Sequence, residues 1–326
     1  MLSRSRRDFV AAACASLLYG AGKSFATEAA NAGRTRVACL LPLASQAFGR
    51  PAEAVKRGIE TAASLSPDAG FDITIYSTTE DPAHIAAAYA QALADAPSLV
   101  VGPLTRNGVT ALLQRVQPGT PVLALNVPEG EVPLPPGFHA FSLNVEAEAR
   151  QVARMVFADG RRSTLTLGAE EPLARRIQRS FADEFTRLGG RIVAQFAYRN
   201  TVPDLMALRE AATGGECDAV FIALDATRAR LVRGYVDGPA QAYATSQILE
   251  GQPDRLRDAE LNGVRFVGMP RFLEPDHPAV MLYSRSRGEP PPATDLERLY
   301  AFGIDAYRLA GALVRGADLA REPLDG

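Results

Sequence analysis

The chain has 326 residues, enough for two domains of ordinary size and a large buried core. Its 35 basic and 37 acidic residues nearly cancel, to a net charge of −2, so neither nucleic acid nor an acidic membrane surface is favoured as a partner. Tryptophan is absent, lysine occurs only at Lys23 and Lys56, and no apolar run reaches the roughly 20 residues of a membrane-spanning helix.

Residues 1–32 read as an export signal. Arg6-Arg7 precede Phe9-Val10 and a small, apolar stretch to about Gly22, the pattern of a twin-arginine leader, with cleavage expected near Ala26 or Ala32. Cys14 follows Ala11-Ala12-Ala13, without the leucine of a lipoprotein signal and after too short an apolar region, so a soluble periplasmic protein without a lipid anchor is expected. Gly20-Ala21-Gly22-Lys23-Ser24 mimics the end of a phosphate-binding loop, but Leu17 stands where that loop needs glycine and no strand precedes it.

From Arg36 to Gly58 the chain reads RVACLLPLASQAFGRPAEAVKRG. An apolar strand (37–41) meets a small polar loop, Ala44-Ser45-Gln46-Ala47, and then a helix with Val55, Ile59, Ala62 and Leu65 on one face. This is the first unit of an α/β sheet, and in such sheets ligands bind beyond the carboxyl ends of the strands. Alternation predicts a strand at 71–76. Asp81-Pro82 starts a helix through Ala94, with Asp81 as cap. Strands follow at 99–101, 121–125 and 139–143, the fourth ending in Asn126 and a proline-rich loop.

The pattern then begins again near Asn144. Helices are expected at 146–158, 172–188, 205–212 and 226–236, and strands at 163–167, 191–198, 218–224, 241–246 and 263–267. Two βαβ series in tandem imply two lobes, each a doubly wound, mostly parallel sheet flanked by helices, with a cleft between them. A proline-rich connector (286–294) leads to an amphipathic helix over 296–314 that is expected to return to the first lobe. The lobes are therefore assigned to 34–143 plus 275–316 and to 144–270, with 317–326 an incomplete terminal segment. Cys39 and Cys217 fall in different series, which argues for two buried, reduced thiols.

No catalytic constellation is present in the pattern: there is no Gly-x-Ser-x-Gly elbow, no His-Glu-x-x-His helix and no metal-ligand spacing. His84, His139 and His277 are scattered over helix, strand and loop. No cofactor is implied. What remains are polar residues at strand ends: Ser45, Gln46, Thr105, Asn107, Asn126, Glu170, Asp225, Ser246 and Gln247. Neutral hydrogen-bonding groups beside helix N-termini suit a small polar or anionic ligand, while helix capping and strand termination account for the same residues singly.

The two-lobed plan, from RVACLLPL through VVGPLTRNGV, resembles the type I periplasmic binding proteins. PVLALN at 121–126, FSLNVEAEARQVAR at 141–154, YATSQ at 243–247, LNGVRFVGMP at 261–270 and RLYAFGIDAYRLA at 298–310 are similar to the C-terminal domain of penicillin-binding protein activators, the LppC-type lipoproteins. The resemblance implies a non-enzymatic periplasmic protein that stimulates a peptidoglycan synthase by contact. It departs from that family in the twin-arginine signal and in the absence of the preceding helical-repeat domain. The alternative is a solute receptor for an amino acid or other small polar ligand, held between the lobes and delivered to a transporter. Amino-acid receptors place Ser and Thr after the third and fourth strands, where this chain has Asn126-Val127-Pro128.

Overall fold

The computed structural model describes residues 34–117, 119–130, 132–250, 256–274, 276–283 and 294–317. The expected export signal and the terminal segment beyond Ala317 lie outside the described residues, as does most of the connector before Thr294. Among the described residues the chain forms two compact units. One runs to Ser142 and resumes at Leu299, and the other is Leu143–Arg298.

The first unit holds β1 (Thr35–Leu41), α1 (Gly49–Leu65), β2 (Phe71–Ser77), α2 (Pro82–Ala94), β3 (Leu99–Val101), α3 (Arg106–Leu113), β4 (Val122–Ala124) and β5 (Phe138–Ala140). Its strands are all parallel, in the order β2-β1-β3-β4-β5. A parallel sheet covered by helices is buried on both faces, so its inner strands read as unbroken apolar runs. That is why Val37, Ala38, Cys39, Leu40 and Leu41 are all buried. α2 starts where Pro82 fixes the first turn and the Asp81 carboxylate accepts from Ala83 N at 2.8 Å.

The second unit follows with α4 (Val145–Ala158), β6 (Ser163–Gly168), α5 (Pro172–Arg187), β7 (Arg191–Ala197), α6 (Val202–Thr213), β8 (Ala219–Ala223), α7 (Ala226–Arg233), β9 (Gln241–Ala244), β10 (Arg265–Phe266) and the short α8 (Pro270–Leu273) and α9 (Pro278–Met281). Its parallel sheet is ordered β10-β9-β8-β6-β7. Phe181, Phe185, Phe221 and Tyr243 fill one face under α4 and α5. Leu165, Leu167, Val220 and Ile222 fill the other with α6 and α7.

The last helix, α10 (Thr294–Val314), begins in the second unit and continues in the first. Its opening turn is held by the Arg271–Glu297 ion pair at 2.7 Å, with both side chains buried. Arg298 Nη2 also donates to Ser246 O at 2.6 Å. The chain therefore joins the first unit at Leu299 rather than at 275.

Several strands differ from their expected spans, most by a residue or two at an end. β5 ends at Ala140, because only three residues pair with β4; Phe141 keeps one bond from its N–H to Ala124 O at 2.9 Å, and its ring stacks on Phe302 at 4.5 Å. β9 ends at Ala244, where Ser246–Ile248 forms a 3-10 turn. β10 pairs over two residues only. α6 starts earlier than periodicity indicated, since the Thr201 hydroxyl caps it by accepting from Asp204 N. Cys39 and Cys217 are free and buried, and burial pushes the Cys39 thiol up to about 12.

Candidate functional site

In each sheet the chain reverses its direction of growth once. In the first unit β1 lies between β2 and β3, so the crossover passes from β2 back over β1 and the switch point falls between β1 and β3. In the second it falls between β6 and β8. Loops at the carboxyl ends beside such points are where open α/β sheets bind ligands.

At the first switch point, β3 ends in Gly102, whose φ of +95° and close approach to β1 exclude a side chain; a Cβ there would lie 2.3 Å from Leu40 O. Ser45 is buried in the loop after β1, and its Oγ accepts from Phe48 N at 3.0 Å. The same hydroxyl sits beside Glu80 and holds that carboxyl below its ordinary range. Asn107 Nδ2 donates to Glu80 O at 3.1 Å while its Oδ1 accepts from Gly108 N at 2.8 Å. Asn126 Nδ2 donates to Leu104 O and its Oδ1 accepts from Val127 N, both at 2.9 Å. Thr105 is buried at the N-cap of α3 without a side-chain capping bond, and Gln46 is exposed.

The expected residues of this unit thus gather along one sheet edge, but their polar groups tie one strand-end loop to the next. Asn107 joins the loop after β2 to α3, and Asn126 joins the loop after β4 to that after β3. Thr78 is an addition: it is fully buried beyond β2, and its Oγ1 has no hydrogen-bond partner among the described residues. Neither Thr78 nor Glu80 stood out in sequence, because only the sheet order places them beside Ser45.

At the second switch point a depression of about 470 Å³ is lined by Ala169, Glu170, Glu171, Tyr198 and Arg228. Glu170 pairs with Arg199 at 2.8 Å and Glu171 with Arg228 at 2.7 Å. Asp225 caps α7 by accepting from Arg228 N at 2.9 Å, and the Arg228 guanidinium lies 3.5 Å from its other oxygen. The Arg228 hydrogen bond holds the Glu171 carboxyl below its usual range. These pairs are exposed and solvent-screened, so each adds little to stability. Ser246 is buried, with its N–H on Glu148 Oε2 at 3.0 Å and its carbonyl on Arg298; Gln247 beside it is half-buried.

Of the expected residues the depression is lined by Glu170; Asp225 touches its lining residue Arg228 from outside, and Ser246 and Gln247 also lie outside the lining. Arg228 carried a weak local signal, three residues after the cap Asp225; Tyr198, Arg199 and Glu148 carried none. Among the described residues no three His, Cys, Asp or Glu side chains could hold a metal ion, and no helix is long and apolar enough to cross a membrane.

The family model described as LppC putative lipoprotein matches residues 29–315. The chain belongs to the LppC family. Among curated relatives, the penicillin-binding protein activator LpoA of Edwardsiella piscicida is 31% identical over 286 residues, covering 75% of this chain and 40% of its own. LpoA of Edwardsiella ictaluri is 29% identical over 329 residues, or 88% of this chain and 46% of that one. This LppC chain thus spans less than half the length of these relatives. A solved structure from Chromobacterium violaceum, described as a putative branched-chain amino acid ABC transporter, is 36% identical with a TM-score of 0.77, covering 90% of this chain and 93% of that one. The LpoA C-domain of Haemophilus influenzae, described as a regulator of PBP1A, shares the fold at a TM-score of 0.74 and 22% identity, over 90% of each chain. The LppC chain, with two five-stranded parallel sheets flanked by helices, has the type I periplasmic-binding-protein fold.

Proposed function

We propose that the chain is a non-enzymatic periplasmic protein of the penicillin-binding-protein-activator type, which acts by contact with a peptidoglycan synthase. The observation that carries this reading is how the strand-end polar groups are used. Asn107 and Asn126 each spend the Nδ2 end of the amide on a neighbouring loop and the Oδ1 end on the N–H of the next residue, and Glu170 and Glu171 are each paired with an arginine. Opening the amide bonds for a ligand would cost hydrogen bonds worth about 0.5–1.5 kcal/mol each, which disfavours tight capture of a small molecule. The roles of the LpoA relatives support the same reading, and Arg6-Arg7 supports export to the periplasm.

The Chromobacterium violaceum neighbour favours a second reading, a solute-binding protein for an amino acid or other small polar ligand. A thermal-shift screen against amino acids, short peptides and soluble cell-wall fragments separates the two. A ligand at a hundred times its Kd adds about 2.7 kcal/mol, a shift of several degrees. Under the activator reading no compound raises the melting temperature; a saturable rise with one amino acid would establish the receptor.

A further inference from the structure

In the second unit two ion pairs bridge the neighbouring helices α4 and α5. Glu146 meets Arg176 at 2.9 Å, and Glu184 takes Arg154 at 2.7 Å and Arg187 at 2.8 Å. Arg150 lies between the bridges on α4, four residues from both Glu146 and Arg154, and so on the same stripe. Arg179 lies between them on α5. Neither has a hydrogen-bond or ion-pair partner among the described residues, and Arg179 is exposed.

Depth orders the charges. The Glu184 and Glu146 side chains are 7% and 19% exposed, whereas those of Arg154, Arg176 and Arg187 are 60%, 51% and 63% exposed. The bridging carboxylates sit beneath the guanidiniums, so the face turned to water is positive although the chain as a whole carries −2. Asp183 is exposed between Arg179 and Arg187 and offsets only part of it.

We infer that this arginine face of α4 and α5 is a docking surface for an acidic protein segment. Guanidinium forks match carboxylates in a bidentate geometry. Arg176 to Arg187 spans eleven residues of helix, about 16 Å, the length of three turns of an acidic helix lying alongside. A lipid surface fits less well. Insertion needs exposed apolar side chains, and within these helices only Leu173, at the first turn of α5, is a large apolar residue that is exposed. The inference stands whether or not the partner is a peptidoglycan synthase.

The test is fluorescence anisotropy of labelled poly-L-glutamate titrated with the protein, at low and at physiological ionic strength. Binding is expected to weaken with salt. The double variant Arg150→Gln/Arg179→Gln, which leaves both helix-bridging ion pairs in place, should weaken binding about tenfold, the equivalent of about 1.4 kcal/mol. Arg209→Gln, on the exposed side of α6, should bind as the parent does. Equal binding by the double variant, or an equal loss with Arg209→Gln, overturns the assignment. So does binding of poly-L-lysine as tight as that of poly-L-glutamate, a comparison that needs no variant. Tighter binding to phosphatidylglycerol vesicles that is lost in the same double variant would assign the face to lipid instead.

Discussion

Gly58 on α1 and Gly303 on α10 meet backbone to backbone. A Cβ on Gly58 would lie 2.1 Å from Tyr300 O and 3.0 Å from Gly303 Cα; one on Gly303 would lie 2.1 Å from Val55 O. Neither neighbour is a side chain that could swing aside. This contact seats the returning helix in the first unit, together with the Phe141–Phe302 stack and Tyr307 against Phe71 at 4.9 Å.

Adding a methyl group at either position must therefore separate the two helices. Overpacking of this kind costs about 1–3 kcal/mol, and a backbone obstacle puts it at the upper end. Gly58→Ala and Gly303→Ala are each expected to lower the unfolding free energy by that amount, read as a lower urea midpoint at unchanged slope. Unchanged midpoints would show that α10 is not packed as described.

The Arg271–Glu297 pair makes an opposite kind of prediction, because its cost lies in breaking one side. Both side chains are more than nine-tenths buried, and Arg271 also donates to Tyr283 O at 3.3 Å. Glu297→Ala takes away the carboxylate paired with a buried guanidinium and should cost about 3–5 kcal/mol, whereas Arg271→Met/Glu297→Leu should recover most of the loss. Urea unfolding of Arg271→Met, Glu297→Leu and the double variant closes the cycle.

Acid stability should depend on Glu184. Hydrogen bonds from Arg187 and then Arg154 lower its carboxyl from 4.5 to about 2. The folded value lies below the unfolded one, so its contribution is complete above about 4.5 and is lost as the pH falls through about 2. Glu184→Gln is expected to lower the melting temperature at neutral pH and to flatten its fall between those two values. A variant curve parallel to the parent's would remove the pair from the acid transition.

Asn126 is expected to be structural. Asn126→Ala leaves Leu104 O and Val127 N without their amide partners, so stability should drop by about 1–2 kcal/mol in thermal or urea unfolding. Binding of poly-L-glutamate, which engages the other unit, should not change.

Much of the fold was legible because each strand of a covered parallel sheet is a short apolar run and some helices carry a capping side chain, as Asp81 and Asn144 do. Boundaries were lost where tertiary contact decides them. Phe141, just past β5, stacks on Phe302, and Thr201 starts α6 a turn before its apolar face begins. Ser45, Thr105, Asn107 and Asn126 were correctly placed at strand ends, since that position follows from strand and loop alone. Their hydrogen bonds were not legible, because Asn126 reaches Leu104 and Asn107 reaches Glu80 across loops that only the sheet order makes neighbours. Gly58 and Gly303 are 245 positions apart and carry no local signal of their contact.

The most direct measurement is the rate of glycan polymerisation and cross-linking by the purified penicillin-binding protein of the same cell, with and without this protein. A contact activator should raise the rate saturably, with no small molecule added and with no turnover of lipid-linked precursor by the protein alone. An unchanged rate at saturating protein, together with a thermal shift on an amino acid, would contradict the activator reading and leave a solute receptor.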